Sequence, residues 1–358
     1  MQDISLALSG GGIRAMAFHM GVLRCLSKYK LIEKIRRISS VSGGSLLIGL
    51  ILNESGMKWP DSRTYEEHVF PKLKEKLCSR CLMAGMLRLL IMPTNFHLLL
   101  YRANLLAKVL RNEWGVVHSL SNLPECPEIS INGSTAETGK RFRFKKDTLG
   151  DYELGYADSK DFSLAEALAV SAAFPGGIGP LTIKTSRLEW KKRPHWDAPE
   201  ESKETCSCTY KKLHLYDGGV YDNLGLEPFF DACQGIPKIE NTTLLVSDAS
   251  APYKKGFSYF AFNPWRMKRM MDLMSEQTRA LRVRGFHGHL KKSSLGCSYL
   301  WIQSQTEGKE GADLKEFACN FPTTLRKLSS IDFDKLTEHG FRVALASLEC
   351  EERRSSRG

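Results

Sequence analysis

The sequence predicts an α/β protein, and three observations carry that prediction. An alternating, β-prone stretch, "ISLALS" (Ile4 to Ser9), runs straight into three glycines and then into a helical pattern. A second strand, "RRISSV", passes through one serine into the apolar helical run "GGSLLIGLILNES". The chain therefore opens strand, glycine turn, helix, strand, turn, helix, the order that builds a mostly parallel central sheet with helices on both faces.

Taken in order, the first helix is expected from Arg14 to about Tyr29. Residues 61–115 read as helical, and the strongly apolar stretch 82–110 reads as a helical cap divided at Pro93. Its bland reading is core helices; its functional one is a surface for lipid. "EISINGST" and "RFRFKK" are expected strands, and "SLAEALAVSAAF" a small-residue helix stopped by "PGG". Residues 187–212, polar and without period, read as an exposed insertion. "LHLYDGG" is a strand ending in a glycine turn, and "TLLVSDAS" a buried strand. A long basic helix is expected over 264–285, then a strand "SYLWIQ" and a closing helix "DFDKLTEHGFRVALASLE". Residues 1–348 read as one domain and 349–358 as a disordered tail.

Composition narrows the classes. Hydrophobic residues are 42% and charged residues 25% of 358, as in an ordinary globular chain. No apolar run reaches the about 18 residues needed to span a bilayer. "MQDISLALSGGG" lacks the basic start of a signal peptide, so a cytoplasmic protein with reduced cysteines is expected. Cys206 and Cys208 are poorly spaced for a zinc knuckle and Cys78 and Cys81 read as helical, so neither metal nor cofactor is expected. The net charge of +11 favours an anionic partner, but no nucleic-acid reader motif accompanies it.

Three segments can carry chemistry. "SVSGGS" places Ser42 between a strand and a helix, where a hydroxyl is exposed at a helix N-terminus. The small residues Gly43 and Gly44 let strand and helix approach; Ser40 stands where a nucleophile elbow usually has glycine. "SGGGIR" frees the amides of Gly10, Gly11 and Gly12 to face a phosphate or an oxyanion, with Arg14 just behind. It is neither a dinucleotide fingerprint nor a Walker loop, lacking the third glycine and the lysine. "YDGGVYDNLGLEP" ends a strand at Asp217, before Gly218 and Gly219; taken alone it is an ordinary turn.

In this order the segments resemble the patatin-like phospholipase family, and "LAVSAAFPGG", "FPTTLRKLS" and "LTEHGFRVA" extend the resemblance from Ile4 to about Leu348. The resemblance implies a Ser42–Asp217 dyad without histidine. The serine attacks an ester, the aspartate takes its proton, and the Gly10–Gly12 turn, chiefly Gly11 and Gly12, holds the oxyanion. Arg14 braces the turn or meets a phosphate. It implies lipid acyl hydrolysis of phospholipid membranes, transient peripheral attachment, and in some bacterial relatives control by an activating partner.

Two rivals stand beside it. A Ser-Asp-His hydrolase would draw on His287, His289 or His339, but that fold sets several strands before its elbow and only one precedes Ser42 here. A binding module would keep the glycine turn for a nucleotide or lipid and lose hydrolysis. The basic helix, with Arg266, Lys268, Arg269, Arg279, Arg282 and Arg284, either docks on anionic lipid or covers the sheet with its charges in water.

Overall fold

The computed structural model describes residues 3–92, 94–95, 102–175, 177–195, 198–253, 255–256, 264–292 and 297–355. Strand β1 (Asp3–Leu8) leads into α1 (Gly12–Lys28), and β2 (Ile35–Val41) into α2 (Gly43–Glu54). A helical stretch follows: α3 (Ser62–Thr64), a π-turn over Tyr65–Val69, α4 (Phe70–Ser79), α5 (Leu82–Ile91) and α6 (Arg102–Trp114). A meander comes next: β3 (Glu128–Thr135), β4 (Arg141–Phe144), β5 (Thr148–Asp151) and β6 (Gly155–Asp158), then α7 (Leu164–Ser171). Strands β7 (Leu181–Lys184), β8 (Trp190–Lys192), β9 (Glu204–Cys206) and β10 (Lys212–Asp217) precede the short α8 (Gly219–Asp222). The chain closes with the small hairpin β11 (Phe230–Asp231) and β12 (Ile236–Pro237), then β13 (Thr242–Asp248), α9 (Pro264–Lys292), β14 (Cys297–Trp301), α10 (Gly308–Asn320) and α11 (Ser330–Ser355).

The main sheet runs β14-β13-β1-β2-β3-β4-β5-β6-β8-β9, with β10 on β3 and β7 on β10. It is α/β, as expected, but more mixed than expected. Pairing is parallel only from β14 to β3, where helices supply the crossovers; every later pair is antiparallel. Helices do cover both faces. Leu6 and Leu8 of β1 join a core with α1, α2, α7 and α11, while Ala7 faces a second cluster with Phe229, Phe230 and Phe286 of α9.

Two local expectations change. Within 187–212, β8 and β9 extend the sheet, and Trp190 is buried with its indole N–H on Thr185 O at 3.1 Å. Strands of three residues are too short to show a period, and their lysines and glutamates suit an edge. Residues 349–355 are helical rather than a disordered tail, because Glu and Arg propagate a helix already anchored by Val343, Ala344 and Leu348; 356–358 lie outside the described residues. In the cap, α5 and α6 are separate helices, but Pro93 and 96–101 lie outside the described residues. Among the described residues no helix is long and apolar enough to cross a membrane.

Candidate active site

The elbow after β2 is strained and tightly fitted. Ser42 sits at φ 50°, ψ −117°, a conformation that a non-glycine residue adopts only when its surroundings impose it. They do so by close approach. A Cβ on Gly43 would lie 2.3 Å from Gly12 O, and one on Gly44 would lie 2.7 Å from Leu8 O. The Ser42 amide donates to Ser171 Oγ of α7 at 2.9 Å, and that oxygen also bonds Asn132 O at 2.7 Å. Ser40 is fully buried beneath the turn, where Ser45 Oγ donates to its hydroxyl at 2.9 Å. It is a small structural residue with no access to a substrate.

The sheet register brings Asp217 to this elbow. Strand β2 runs along one edge of β3 and ends with Val41 opposite Asn132. Strand β10 comes down the same edge in the opposite sense and ends with Asp217 opposite Gly133. Two strands thus meet head-on at consecutive positions of β3, with Ser42 following the end of one and Asp217 ending the other. Gly218 makes the turn possible, since a Cβ there would lie 2.4 Å from Asn132 O; a Cβ on Gly219 would meet Asn223 Oδ1 at 2.6 Å.

Asp217 is 4% exposed. Burial pushes its carboxyl up to about 7, against the Gly219 amide, which donates to Oδ1 at 2.7 Å, and the nearby Ser42 hydroxyl, both of which favour the anion. Serine and aspartate are therefore neighbours, and among the described residues no histidine bonds to either. The carboxyl loses its proton near neutral pH, which suits a general base.

The glycine turn divides its labour. Gly11 and Gly12 have φ of 145° and 62°, left-handed values that glycine adopts without strain, and Gly12 lies against Gly43. Neither amide has a hydrogen-bond partner among the described residues. Gly10, expected to share the oxyanion, does not: its N–H already donates to Asn223 O at 3.0 Å. Arg14 is 1% exposed, and its Nη1 and Nη2 donate to Phe321 O at 2.8 Å and Ala249 O at 3.0 Å. It braces the turn, and burial lowers it to about 10.

A model of the patatin-like phospholipase family matches residues 6–230, well over half of the chain. The chain belongs to that family. No curated protein sequence matches it. Among solved structures, human GIVD cytosolic phospholipase A2 aligns over 100% of this chain and 61% of its own, at 13% identity and a TM-score of 0.55. The same enzyme in complex with methyl γ-linolenyl fluorophosphonate aligns at 14% identity and 0.51, over 100% and 60% of the two chains. These likenesses speak for the fold, and this chain spans about three fifths of the length of those structures.

In this patatin-like chain the rival histidines have other neighbours. His339 is buried, with Nε2 donating to Ile302 O at 2.6 Å; the rings of His287 and His289 pack near Tyr299 and Phe230. The sequence reading missed His19, fully buried below the glycine turn, with Nε2 donating to Ser9 O at 3.0 Å and Nδ1 accepting from Ser247 Oγ at 2.7 Å. Burial lowers it to about 4, so it stays neutral and structural. It also missed Ser171, Asn132 and Asn223. Each bonds the elbow or the turn from a distant helix, strand or loop, which local patterns do not reveal.

The basic helix is less free than its composition suggests. Arg279 Nη1 donates to the buried Asp248 at 2.8 Å, and Arg282 faces Asp222 at 3.5 Å and Glu227 at 3.7 Å. Arg269 stacks over Tyr253 at 4.2 Å, while Arg284 is exposed. The side chains of Arg266 and Lys268 lie outside the described residues. Among the described residues no group of three or more His, Cys, Asp or Glu is arranged to hold a metal ion.

Proposed function

We propose that the chain hydrolyses fatty-acyl esters of glycerophospholipids with Ser42 as nucleophile and Asp217 as general base. The observation that carries this is the meeting of the strained Ser42 with a buried aspartate, raised to about 7, at adjacent positions of β3. Asp217 takes the Ser42 proton as Oγ attacks the ester carbonyl. The amides of Gly11 and Gly12 stabilise the oxyanion, and the positive end of α2 adds to that field. Collapse expels the alcohol, which takes the proton from Asp217, and leaves an acyl-serine. Water then attacks, Asp217 again accepts the proton, and the fatty acid leaves. A relative's complex with a fatty-chain fluorophosphonate supports an acyl-chain substrate for this reading.

Membrane access fits the cap. Met83, Leu87 and Ile91 of α5 are 42%, 60% and 70% exposed, an apolar stripe at helical spacing. The Met83 amide donates to Leu325 O, the neighbour of Thr324, whose carbonyl accepts the Ile13 amide beside the glycine turn. In this reading the stripe meets the lipid surface while the catalytic turn receives the ester, giving transient peripheral attachment.

The test is fatty-acid release from mixed phospholipid vesicles with EDTA present, for wild type, Ser42→Ala and Asp217→Ala. Release by wild type alone is expected, together with a fluorophosphonate adduct that mass spectrometry maps to Ser42. Full release by Ser42→Ala overturns the reading.

A further inference from the structure

The strands that carry the site have a second, polar face. In-register rows pair Arg37 with Glu128, Arg143 with Asn132, and Arg141 with Ser134. Alternation therefore puts Arg37, Arg141 and Arg143 on one side of β2, β3 and β4. The other side carries Ile129, Ile131, Phe142 and Phe144, in the same core as α1, α2 and α7. Residues 227–239 border the polar side and leave a groove of about 290 Å³.

Its charge does not balance. Arg37, Arg141, Arg143, Lys145 and Lys238 line it against only Glu128 and Glu227. Both acids are answered, Glu128 by Lys145 and Glu227 by Lys238 at 2.8 Å. Arg37 and Arg141 remain. Arg143 lies over the Tyr156 ring at 4.5 Å, while Arg37 has no hydrogen bond or ion pair among the described residues. Arg141 is the telling one, because its Nη1 is fully enclosed and has no hydrogen-bond partner. Glu227 and Asp222 reach it only through space, and burial still lowers its pKa. An enclosed guanidinium nitrogen without a partner is costly, and folded proteins ordinarily satisfy such an atom.

We propose that this groove binds the phosphate-ester group of a small molecule or a lipid headgroup, clamped by the guanidinium forks of Arg37 and Arg141. A tetrahedral dianion offers three oxygens to two guanidinium forks, where a carboxylate offers two. Phe229 and Ile239 wall the groove and would cover the organic part of the ester. The volume, at the small end for ligand pockets, fits a headgroup or a compact phosphoester. The groove is separate from the dyad. Arg37 lies five positions before Ser42 on β2, about 16 Å along the strand. Asp217 shares its row with Gly133, which points to the opposite face from Asn132.

The test uses the full chain carrying Ser42→Ala, so that binding is read without turnover and independently of the hydrolase reading. Inorganic phosphate and glycerol 3-phosphate are titrated by calorimetry. Glycerol 3-phosphate is then competed with phosphatidylcholine vesicles, with or without phosphatidic acid. Saturable binding of the soluble ester is expected, weakened about tenfold or more by Arg37→Leu or Arg141→Leu and partly kept by Arg141→Lys. Competition only by the phosphatidic acid vesicles identifies a headgroup site; absence of competition identifies a soluble ester. Without ligand, Arg141→Leu is expected to melt at or above the parent's temperature, since no bonded partner is lost. No saturable binding by the parent overturns the proposal. So does an Arg141→Leu variant that melts lower but binds the ester as before, which would make Arg141 a structural ion. If Arg141→Leu does not fold, Arg37→Leu decides by the same affinity criterion.

Discussion

Ser42 and Asp217 meet at one point but are held there by different means. The serine is fixed by shape: a strained backbone between glycines that admit no Cβ, with Ser171 bonding its amide. The aspartate is fixed by register and tuned by burial, which raises it to about 7. Damage to the first should therefore appear as misplacement, and damage to the second as a change in proton affinity. Asp217→Asn separates the two most sharply. It keeps the size and the acceptor for the Gly219 amide but cannot take a proton. We expect activity to fall by about 10³-fold or more, measured as fatty-acid release.

The same substitution should stabilise the protein. Folded Asp217 keeps its proton up to about pH 7, whereas an unfolded aspartate releases it near about 3.9. Between those values the folded chain binds more protons, so stability falls as pH rises through that window and levels off above it. The full span corresponds to about 4 kcal/mol. Asp217→Asn should abolish this slope, so that at pH 8 the inactive variant melts above wild type. Wild-type activity should rise with pH to a plateau above about pH 7, the mirror image of its stability. A flat pH–stability curve in wild type would show that Asp217 is not desolvated.

Gly43→Ala tests the serine's side of the comparison. Its methyl would press on the Gly12 carbonyl at 2.3 Å, forcing elbow and glycine turn apart. We expect about a 10²-fold loss of kcat and about 1–3 kcal/mol of stability, with no change in the pH midpoint. Ser40→Gly is the mild counterpart. It removes the bond from Ser45 Oγ, costs about 1 kcal/mol, and leaves activity near wild type.

The comparison also explains what was legible in the sequence. Shape is written locally: the run of glycines at 10–12, the small residues around Ser42 and the buried alternation of β1 could all be read from neighbours in the chain. Register is not local. That β2 and β10 stop at adjacent positions of β3 depends on pairing between residues 41, 132, 133 and 217, so Asp217 was reached through family resemblance, and alone it was an ordinary turn. The edge strands β8 and β9 escaped because three residues carry no period. The apportioning of the glycine turn escaped because Gly10 is taken by a carbonyl from residue 223. The same blindness overstated the basic helix, since Asp248, Asp222 and Glu227 lie far from it in sequence and near it in space.

That helix gives a control for the effects on activity. Arg279 is 10% exposed and bonded to Asp248, itself 0% exposed, so Arg279→Met strands a buried carboxylate. It should lower the melting temperature, with about 3 kcal/mol lost, and say little about membranes. Arg284 is exposed and, among the described residues, its Nε donates only to the Ala280 carbonyl of its own helix, so Arg284→Glu should leave melting unchanged. If α9 rests on an anionic bilayer, the reversal should weaken binding to phosphatidylserine vesicles by several-fold, at about 1 kcal/mol per charge, and the loss should fade as salt is raised. Unchanged vesicle affinity would assign attachment to the apolar stripe of α5, where Leu87→Ser should then produce the loss and salt should leave it in place.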